Sequence, residues 1–169
     1  MNEEDLYPSV AHWLRGQGYA AVVTGGQKLL SIPLVSYIPG KMFLEPDIVG
    51  FKEVSTLVAV EVKSDAKGIV DGLGKCLAYS AAADKVYLAL SDDLCADVRS
   101  VKLFEHLKLG LLCLQKPEKK AVVNGSKLRL YTGEWTVEEK IAPGTNYNVD
   151  YSGLHAELLR QTKAALGKD

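Results

Sequence analysis

The stretch Leu57-Val58-Ala59-Val60-Glu61-Val62-Lys63 limits the possible folds more than any other part of the chain. It is the most continuously apolar β-rich run present. A strand that is apolar on both of its alternating faces belongs inside a sheet covered on both sides. The run nevertheless ends in charge. Residues two apart on a strand share a face, so Glu61 and Lys63 point together while Val60 and Val62 point the other way. An ion pair on an exposed edge strand, the ordinary reason for such charges, would contribute little to stability, and an interior strand needs a better one.

The flanking sequence predicts the partners of this strand. Asp47 to Phe51 is β-rich and is separated from Thr56 to Val62 by the polar segment Lys52 to Ser55, which reads as a hairpin. Upstream, Leu6, Val10, Trp13 and Leu14 recur at helical spacing from about Leu6 to Gln17, and Gly18 ends the run. Pro8 fits only the first turn of that helix. Tyr19 to Thr24 and a segment between Leu29 and Tyr37 predict two strands, turned by Gly25-Gly26 and closed by Pro39-Gly40. Downstream, Val70, Leu73, Leu77 and Ser80-Ala81 predict a helix reaching Ala83, and Val86 to Leu90 a strand. Asp97 to Lys108 predicts another helix and Leu111 to Gln115 another strand. This alternation implies crossovers, with the later strands joining the hairpin in a mixed sheet.

After Pro117 the pattern changes. Val122-Val123 and Leu128 to Tyr131 flank Asn124-Gly125, a hairpin turn signal, and Leu154 to Leu166 predicts a terminal amphipathic helix. Residues 1–116 therefore form the expected core. Residues 117–169 are the expected hairpin-and-helix extension packed on it, within a single domain.

Composition narrows the partners. The chain has 169 residues, 47% of them hydrophobic, enough for one packed core. Its 20 basic and 21 acidic side chains leave a net charge of -1, so no global positive field marks nucleic acid as the partner. A groove that meets phosphate needs only local charge. The opening Met-Asn-Glu-Glu-Asp lacks the features of a secretory signal, and no apolar run is long enough to cross a bilayer. Cys76, Cys95 and Cys113 are odd in number and widely spaced, which predicts reduced core thiols in a cytoplasmic protein. The isolated His12, His106 and His155 supply no zinc cluster, so any metal is expected to be held by oxygen. Gly72-Leu73-Gly74-Lys75 is not a nucleotide-binding loop, because Ile69 and Cys76 stand where Gly and Ser or Thr are required.

The chemistry is concentrated at the strand ends. If Asp47 begins the strand that pairs with Thr56 to Val62, its carboxylate comes beside Glu61. Two such groups repel, raising the pKa of one, unless a cation lies between them. A hard ion such as Mg2+, with Mn2+ able to substitute, removes the conflict. Lys63 would stabilise negative charge developing on a nearby phosphate or orient the attacking water.

Pro46-Asp47 followed by Glu61-Val62-Lys63 resembles the PD-(D/E)xK signature of the restriction-endonuclease-like superfamily. The resemblance runs from roughly Asp5 to Gln115. It implies an α/β fold with a mixed central sheet flanked by helices, and hydrolysis of DNA phosphodiester bonds. By the same resemblance Asp47 and Glu61 would bind the metal, Val62 would belong to the metal set, and Lys63 would be catalytic. Many members carry a further glutamate on the first helix. Glu3 or Glu4 corresponds to it, Glu3 better because it would share a helical face with Leu6 and Val10, although an acid at a helix start is also favoured by the dipole alone. Some members carry Gln-x-x-x-Tyr on the following helix; Lys75 and Tyr79 hold those places as expected nucleic-acid contacts, with lysine departing from the pattern. Lys119, Lys120 and Lys127, with Lys116 and Arg129, form a local basic run that is either a solvated face or a contact to the DNA backbone. Little sequence is left for reading bases, which implies structure-selective or weakly specific cutting, or a homodimer that shares recognition. The rival expectations are a non-catalytic DNA- or protein-binding member of the same fold, and a nuclease acting on RNA.

Overall fold

The computed structural model describes residues 2–25, 32–33, 43–53, 56–96, 98, 101–116, 118–123, 126–131, 135–151 and 153–167; the strands at 32–33, 43–44, 118–123 and 126–131 are described as backbone. Among the described residues ten strands and five α-helices follow in order. They are α1 (Tyr7–Gly16), β1 (Ala20–Val23), β2 (Ile32–Pro33), β3 (Phe43–Leu44), β4 (Ile48–Lys52), β5 (Thr56–Lys63), α2 (Gly68–Tyr79), β6 (Lys85–Ser91), α3 (Asp92–Ala96), α4 (Val101–Leu107), β7 (Gly110–Gln115), β8 (Glu118–Val123), β9 (Ser126–Tyr131), β10 (Thr136–Ile141) and α5 (Leu154–Ala165). A 3-10 turn over Glu3–Asp5 precedes α1.

Six strands form the main sheet in the order β1-β4-β5-β6-β7-β10. The pairs β5–β6 and β6–β7 are parallel, while β1–β4, β4–β5 and β7–β10 are antiparallel. The sheet is therefore mixed and flanked by helices, as the alternation of elements predicts. β5 lies inside it, and its continuous apolar run is explained by cover on both faces. Val58, Val60 and Val62 join Leu6, Val10 and Leu14 beneath α1. Leu57 and Ala59 join Cys76, Tyr79, Phe104 and Leu158 on the face covered by α2, α4 and α5. Burying a Leu or Val side chain in this way contributes about 1.5–3 kcal/mol.

The parallel strands all end at the same side of the sheet. Lys63, Ser91 and Gln115 close β5, β6 and β7 there. The antiparallel register adds the end of β1 (Val23 opposite Ile48) and the start of β10 (Thr136 opposite Gln115). Asp47, immediately before β4, belongs to this end as well.

Three expectations change. β10 was not anticipated, so the chain after Pro117 is more than an appendage: it returns a strand to the sheet. Its alternation is too polar to read as a strand, because Thr136, Glu138, Glu139 and Lys140 are all exposed at the sheet edge. The cysteines are not three reduced thiols. Cys95 and Cys113 form a disulfide, and only Cys76 is free and buried. Their wide sequence spacing is bridged because α3 leaves β6 directly and packs on the adjoining β7, so the cytoplasmic expectation loses the support it took from reduced thiols. Finally, Glu3 sits in a 3-10 turn and not on the helical face of α1. Among the described residues no helix is long and apolar enough to cross a membrane. The strand expected between Leu29 and Tyr37 is seen as Ile32–Pro33 paired with Phe43–Leu44; the remainder, with the turns at Gly26, Pro39-Gly40 and Asn124-Gly125, lies outside the described residues.

Candidate active site

Asp47, Glu61 and Lys63 meet at the end of the sheet. The hairpin register, Ile48 opposite Val60, carries Asp47 to the level of Glu61 and beyond. There Asp47 Oδ2 accepts the Val62 N–H at 2.7 Å, and its Oδ1 accepts the Tyr7 hydroxyl at 3.1 Å. The main chain is pinned too, because the Asp47 carbonyl accepts the N–H groups of Thr24 and Gly25 at 2.8 and 3.0 Å. The Thr24 hydroxyl donates to the carbonyl of Pro46.

Glu61 is fully buried. Lys63 Nζ and Lys75 Nζ lie 2.9 and 2.8 Å from its Oε1, and the Tyr79 hydroxyl donates to its Oε2 at 2.8 Å. The Tyr79 oxygen is also 3.0 Å from the Glu45 carbonyl, tying the approach to β4 to the C-terminal turn of α2. Lys63 Nζ reaches Glu3 Oε2 at 3.4 Å, and the Ser64 N–H lies 3.4 Å from Glu3 Oε1. Of the two candidate acids at the N-terminus, Glu3 joins the cluster, whereas Glu4 is exposed.

Two glycines explain how the Lys63 stem reaches Glu61. A Cβ at Gly68 would stand 2.7 Å from Lys63 Cδ, and one at Gly72 would stand 3.0 Å from Lys63 Cγ and from Leu88 Cδ1. Glycine costs helix stability, yet two of them four apart form a groove on α2 in which the lysine stem lies. Gly25 has a similar role, since a Cβ there would clash with the hydroxyl-bearing edge of the Tyr7 ring.

The electrostatics reflect crowding of like charge. Burial and the charge of Glu61 push the Asp47 carboxyl from its ordinary 3.8 up to about 6, against the lowering effects of the Val62 N–H, Lys63 and Tyr7. Burial alone would lower Lys63, but its hydrogen bond to Glu61 and the charges of Glu61, Glu3 and Asp47 outweigh that and raise it. Lys75 is raised by the same balance with Glu61. The hydroxyls of Tyr7 and Tyr79 are raised by burial and by the carboxylates they serve, so both remain donors.

Among the described residues no three His, Cys, Asp or Glu side chains converge in a group able to hold a metal ion. The donor chemistry of Asp47 and Glu61 nevertheless suits a hard divalent cation, and the raised Asp47 carboxyl marks the charge imbalance that such an ion would relieve. Both Glu61 oxygens are engaged by Lys63, Lys75 and Tyr79. A cation therefore fits this site only if an ammonium leaves Glu61. Lys75, the more exposed of the two, is the one free to do so. Val62 can serve a metal only through its carbonyl, because its side chain is buried and its N–H is taken by Asp47.

The expected nucleic-acid contacts divide. Tyr79 is fully buried and holds Glu61, so it cannot touch a nucleic acid; the helix that carries it packs that face inward. Lys75 is at the site itself. Lys119 and Lys120 lie on β8 and Lys127 on β9, two strands described as backbone that pair with each other. Trp13 packs edge-on against Tyr87, with ring centroids 5.7 Å apart, and Lys116 stands over the ring of Trp135 at 5.5 Å. Sequence reasoning missed Tyr7, Gly68 and Gly72. Only the glycine pair left a signal, as two residues unfavourable to a helix on one of its faces.

The sequence matches no protein-family model and no curated protein. Among solved structures the fold is similar to the SPO1766 protein of unknown function from Silicibacter pomeroyi, with a TM-score of 0.59 at 14% identity over 99% of this chain and 88% of that one. At that identity the likeness concerns the fold alone: this arrangement of strands and helices has a solved counterpart.

Proposed function

We propose that this chain is a metal-dependent nuclease with a restriction-endonuclease-like core, hydrolysing DNA phosphodiester bonds with Mg2+ or Mn2+ held by Asp47 and Glu61. The observation that carries this reading is the meeting of half-buried Asp47 with buried Glu61 beside Lys63, with the Asp47 carboxyl raised to about 6. Structural ion pairs are normally arranged to relieve such repulsion. A divalent ion would polarise the phosphoryl oxygen and ease loss of a proton from the attacking water. The residues of the chain do the rest. Tyr7 and the Val62 N–H fix both oxygens of Asp47, Tyr79 fixes Glu61, and the groove at Gly68 and Gly72 directs Lys63 toward them. Lys63 holds its proton at Nζ, so it serves as a cation that steadies charge developing on the phosphate. Glu3 keeps that ammonium in place.

A second reading, a nucleic-acid-binding protein without catalysis, draws on one specific observation: both oxygens of Glu61 are already engaged by Lys63, Lys75 and Tyr79. Cleavage assays on duplex, single-stranded, flap and four-way-junction DNA separate the two, using wild type, Lys63→Ala and Glu61→Ala at matched DNA occupancy with Mg2+, Mn2+ or chelator. The nuclease reading expects metal-dependent cutting that falls on the order of a hundredfold in Lys63→Ala while DNA affinity is largely kept. No metal-dependent cutting by wild type, or mutants as fast as wild type, would sink it.

A further inference from the structure

Two ammoniums meet the Glu61 carboxylate, and they differ in freedom. The Lys63 stem lies in the groove at Gly68 and Gly72, its side chain is only 8% exposed, and Glu3 Oε2 stands 3.4 Å from its Nζ. It is held from every side. The Lys75 side chain is 37% exposed, and its Nζ lies 2.8 Å from Glu61 Oε1 and 3.6 Å from Asp71 Oδ2, one helical turn earlier on α2. Lys75 thus stands between a carboxylate with no exposure and one that is 65% exposed.

Helix geometry supplies the second contact, because residues four apart on a helix are neighbours on its surface. Asp71 is therefore within reach of Lys75 by side-chain rotation alone. The two acceptors are unequal. A pair with buried Glu61 is little screened, whereas a pair with Asp71 stands in water and contributes little. Burial would lower the Lys75 pKa, but its hydrogen bond to Glu61 and the charge of Glu61, with a smaller pull from Asp71, raise it. An ammonium offered both partners rests on Glu61, as observed. Around that carboxylate the acids Asp47, Glu61 and Glu3 face the ammoniums of Lys63 and Lys75. With Lys75 turned to Asp71 the same three acids face a single ammonium, a deficit that a divalent cation offsets better than a monovalent one.

We propose that Lys75 is an internal counterion occupying the cation position at Glu61 Oε1, and that a divalent metal ion displaces it onto Asp71, which receives the ammonium whenever metal binds. The inference rests on the metal reading above and adds to it Asp71, a residue outside the carboxylate cluster. Tyr79 keeps its bond to Glu61 Oε2 and Lys63 keeps its groove, so the exchange moves one side chain. Leaving a buried carboxylate without its cation is strongly destabilising, and a one-for-one exchange avoids that state. Metal affinity is accordingly set by competition with Lys75, and Asp71 tilts that competition toward the metal.

The test is a calorimetric titration with Mn2+ of wild type, Lys75→Gln, Asp71→Asn and the double variant. Lys75→Gln should tighten Mn2+ binding and Asp71→Asn weaken it, each by about two- to fivefold, the scale of a partly exposed ion pair. The double variant should bind as Lys75→Gln does, because Asp71 acts only through the ammonium it receives. If Asp71 merely attracted cations, its loss would weaken binding equally in the Lys75→Gln background. A second readout follows Lys75 directly: limited acetylation read by mass spectrometry should label it several-fold faster with Mg2+ than in chelator, while labelling of Lys63 stays slow. Equal effects of Asp71→Asn in both backgrounds, weaker Mn2+ binding by Lys75→Gln, or Lys75 labelling indifferent to Mg2+ would overturn the exchange. Failure of the nuclease reading looks different: the four proteins would obey the binding cycle while wild type cuts nothing. Metal-dependent cleavage with no response of Mn2+ affinity to Asp71 or Lys75 would sink the exchange and spare the nuclease, and absence of Mn2+ binding in all four would sink both.

Discussion

Asp47 and Asp84 stand at opposite ends of the same interior strand, and each accepts a backbone N–H of β5 at 2.7 Å, from Val62 and Leu57 respectively. Their carboxyls are displaced in opposite directions. Burial would raise Asp84, but the Leu57 N–H, the Tyr151 hydroxyl at 2.8 Å and His155 Nε2 at 3.1 Å together hold it below the ordinary value. Asp47 is raised first by burial and then by the charge of Glu61, a second acid nearby. Two aspartates with the same anchor therefore do different work. Asp84 is surrounded by donors and fastens the C-terminal segment through Tyr151 and His155 to the start of β5 and β6, whereas Asp47 has a second acid nearby whose effect, with burial, exceeds that of the Val62 N–H, Lys63 and Tyr7. Perturbation of the second kind is characteristic of functional sites.

The sharpest way to break this comparison is a pair of substitutions. Lys63→Ala should reduce cleavage per folded molecule on the order of a hundredfold, because on the proposed reading the group acts on the transition state, and should also lower urea stability, since it removes a buried partner of Glu61. Asp84→Ala should leave the rate per folded molecule unchanged and cost about 2 kcal/mol in urea denaturation, since it strands the Leu57 N–H and removes the partners of Tyr151 and His155. If Asp84→Ala reduces the rate as Lys63→Ala does, the two ends are not functionally distinct.

The pH dependence of stability in chelator should differ in sign between the two ends. The folded-state pKa of Asp47 is raised, so its contribution is fully present below 3.8 and is lost as pH rises through about 6. Asp84 is lowered, so its contribution is present above 3.8 and is lost as pH falls. Relative to wild type, Asp47→Asn should therefore stabilise more at about pH 7 than at about pH 4, by on the order of 2 kcal/mol, while Asp84→Asn should be most harmful at neutral pH and approach wild type in acid. Urea titrations across that range check both signs.

Smaller effects concern how the cluster is held. Gly72→Ala gains helix propensity but crowds Lys63 Cγ and Leu88 Cδ1. Stability should stay within about 1 kcal/mol of wild type while the cleavage rate falls by roughly tenfold, as expected when a positioned group is displaced. Smallest of all, Lys75→Gln removes the ammonium that must leave Glu61 before a cation enters, and should tighten Mn2+ binding by calorimetry a few-fold, roughly the scale of one partly exposed ion pair. Weaker Mn2+ binding in that variant would place Lys75 among the supports of the metal and not its competitors.

The candidate site was legible in the sequence where its placement depended on local pattern. The apolar run of β5 announces an interior strand, the period of two puts Glu61 and Lys63 on one face, and a short polar turn returns Asp47 to their level. Glu3 was legible only as one of two adjacent acids. Tyr7, Tyr79 in its observed role, and the groove at Gly68 and Gly72 were not, because each acts through a contact that sequence distance does not encode. The Tyr7 bond to Asp47 spans 40 positions and the Glu3 contact with Lys63 spans 60.

The same boundary runs through the fold. Hydrophobic periodicity and turn chemistry, which operate within a few residues, determined α1, the β4–β5 hairpin, α2, β6, β7 and α5. β10 has too few buried positions to announce itself and exists because β7 offered it a free edge. The Cys95–Cys113 bond exists because α3 packs beside β7. The raised carboxyl of Asp47 depends on burial and on Glu61 through space. Each of these was decided by tertiary structure, since Coulomb interactions, edge pairing and bond formation depend on distance in space, which local pattern does not specify.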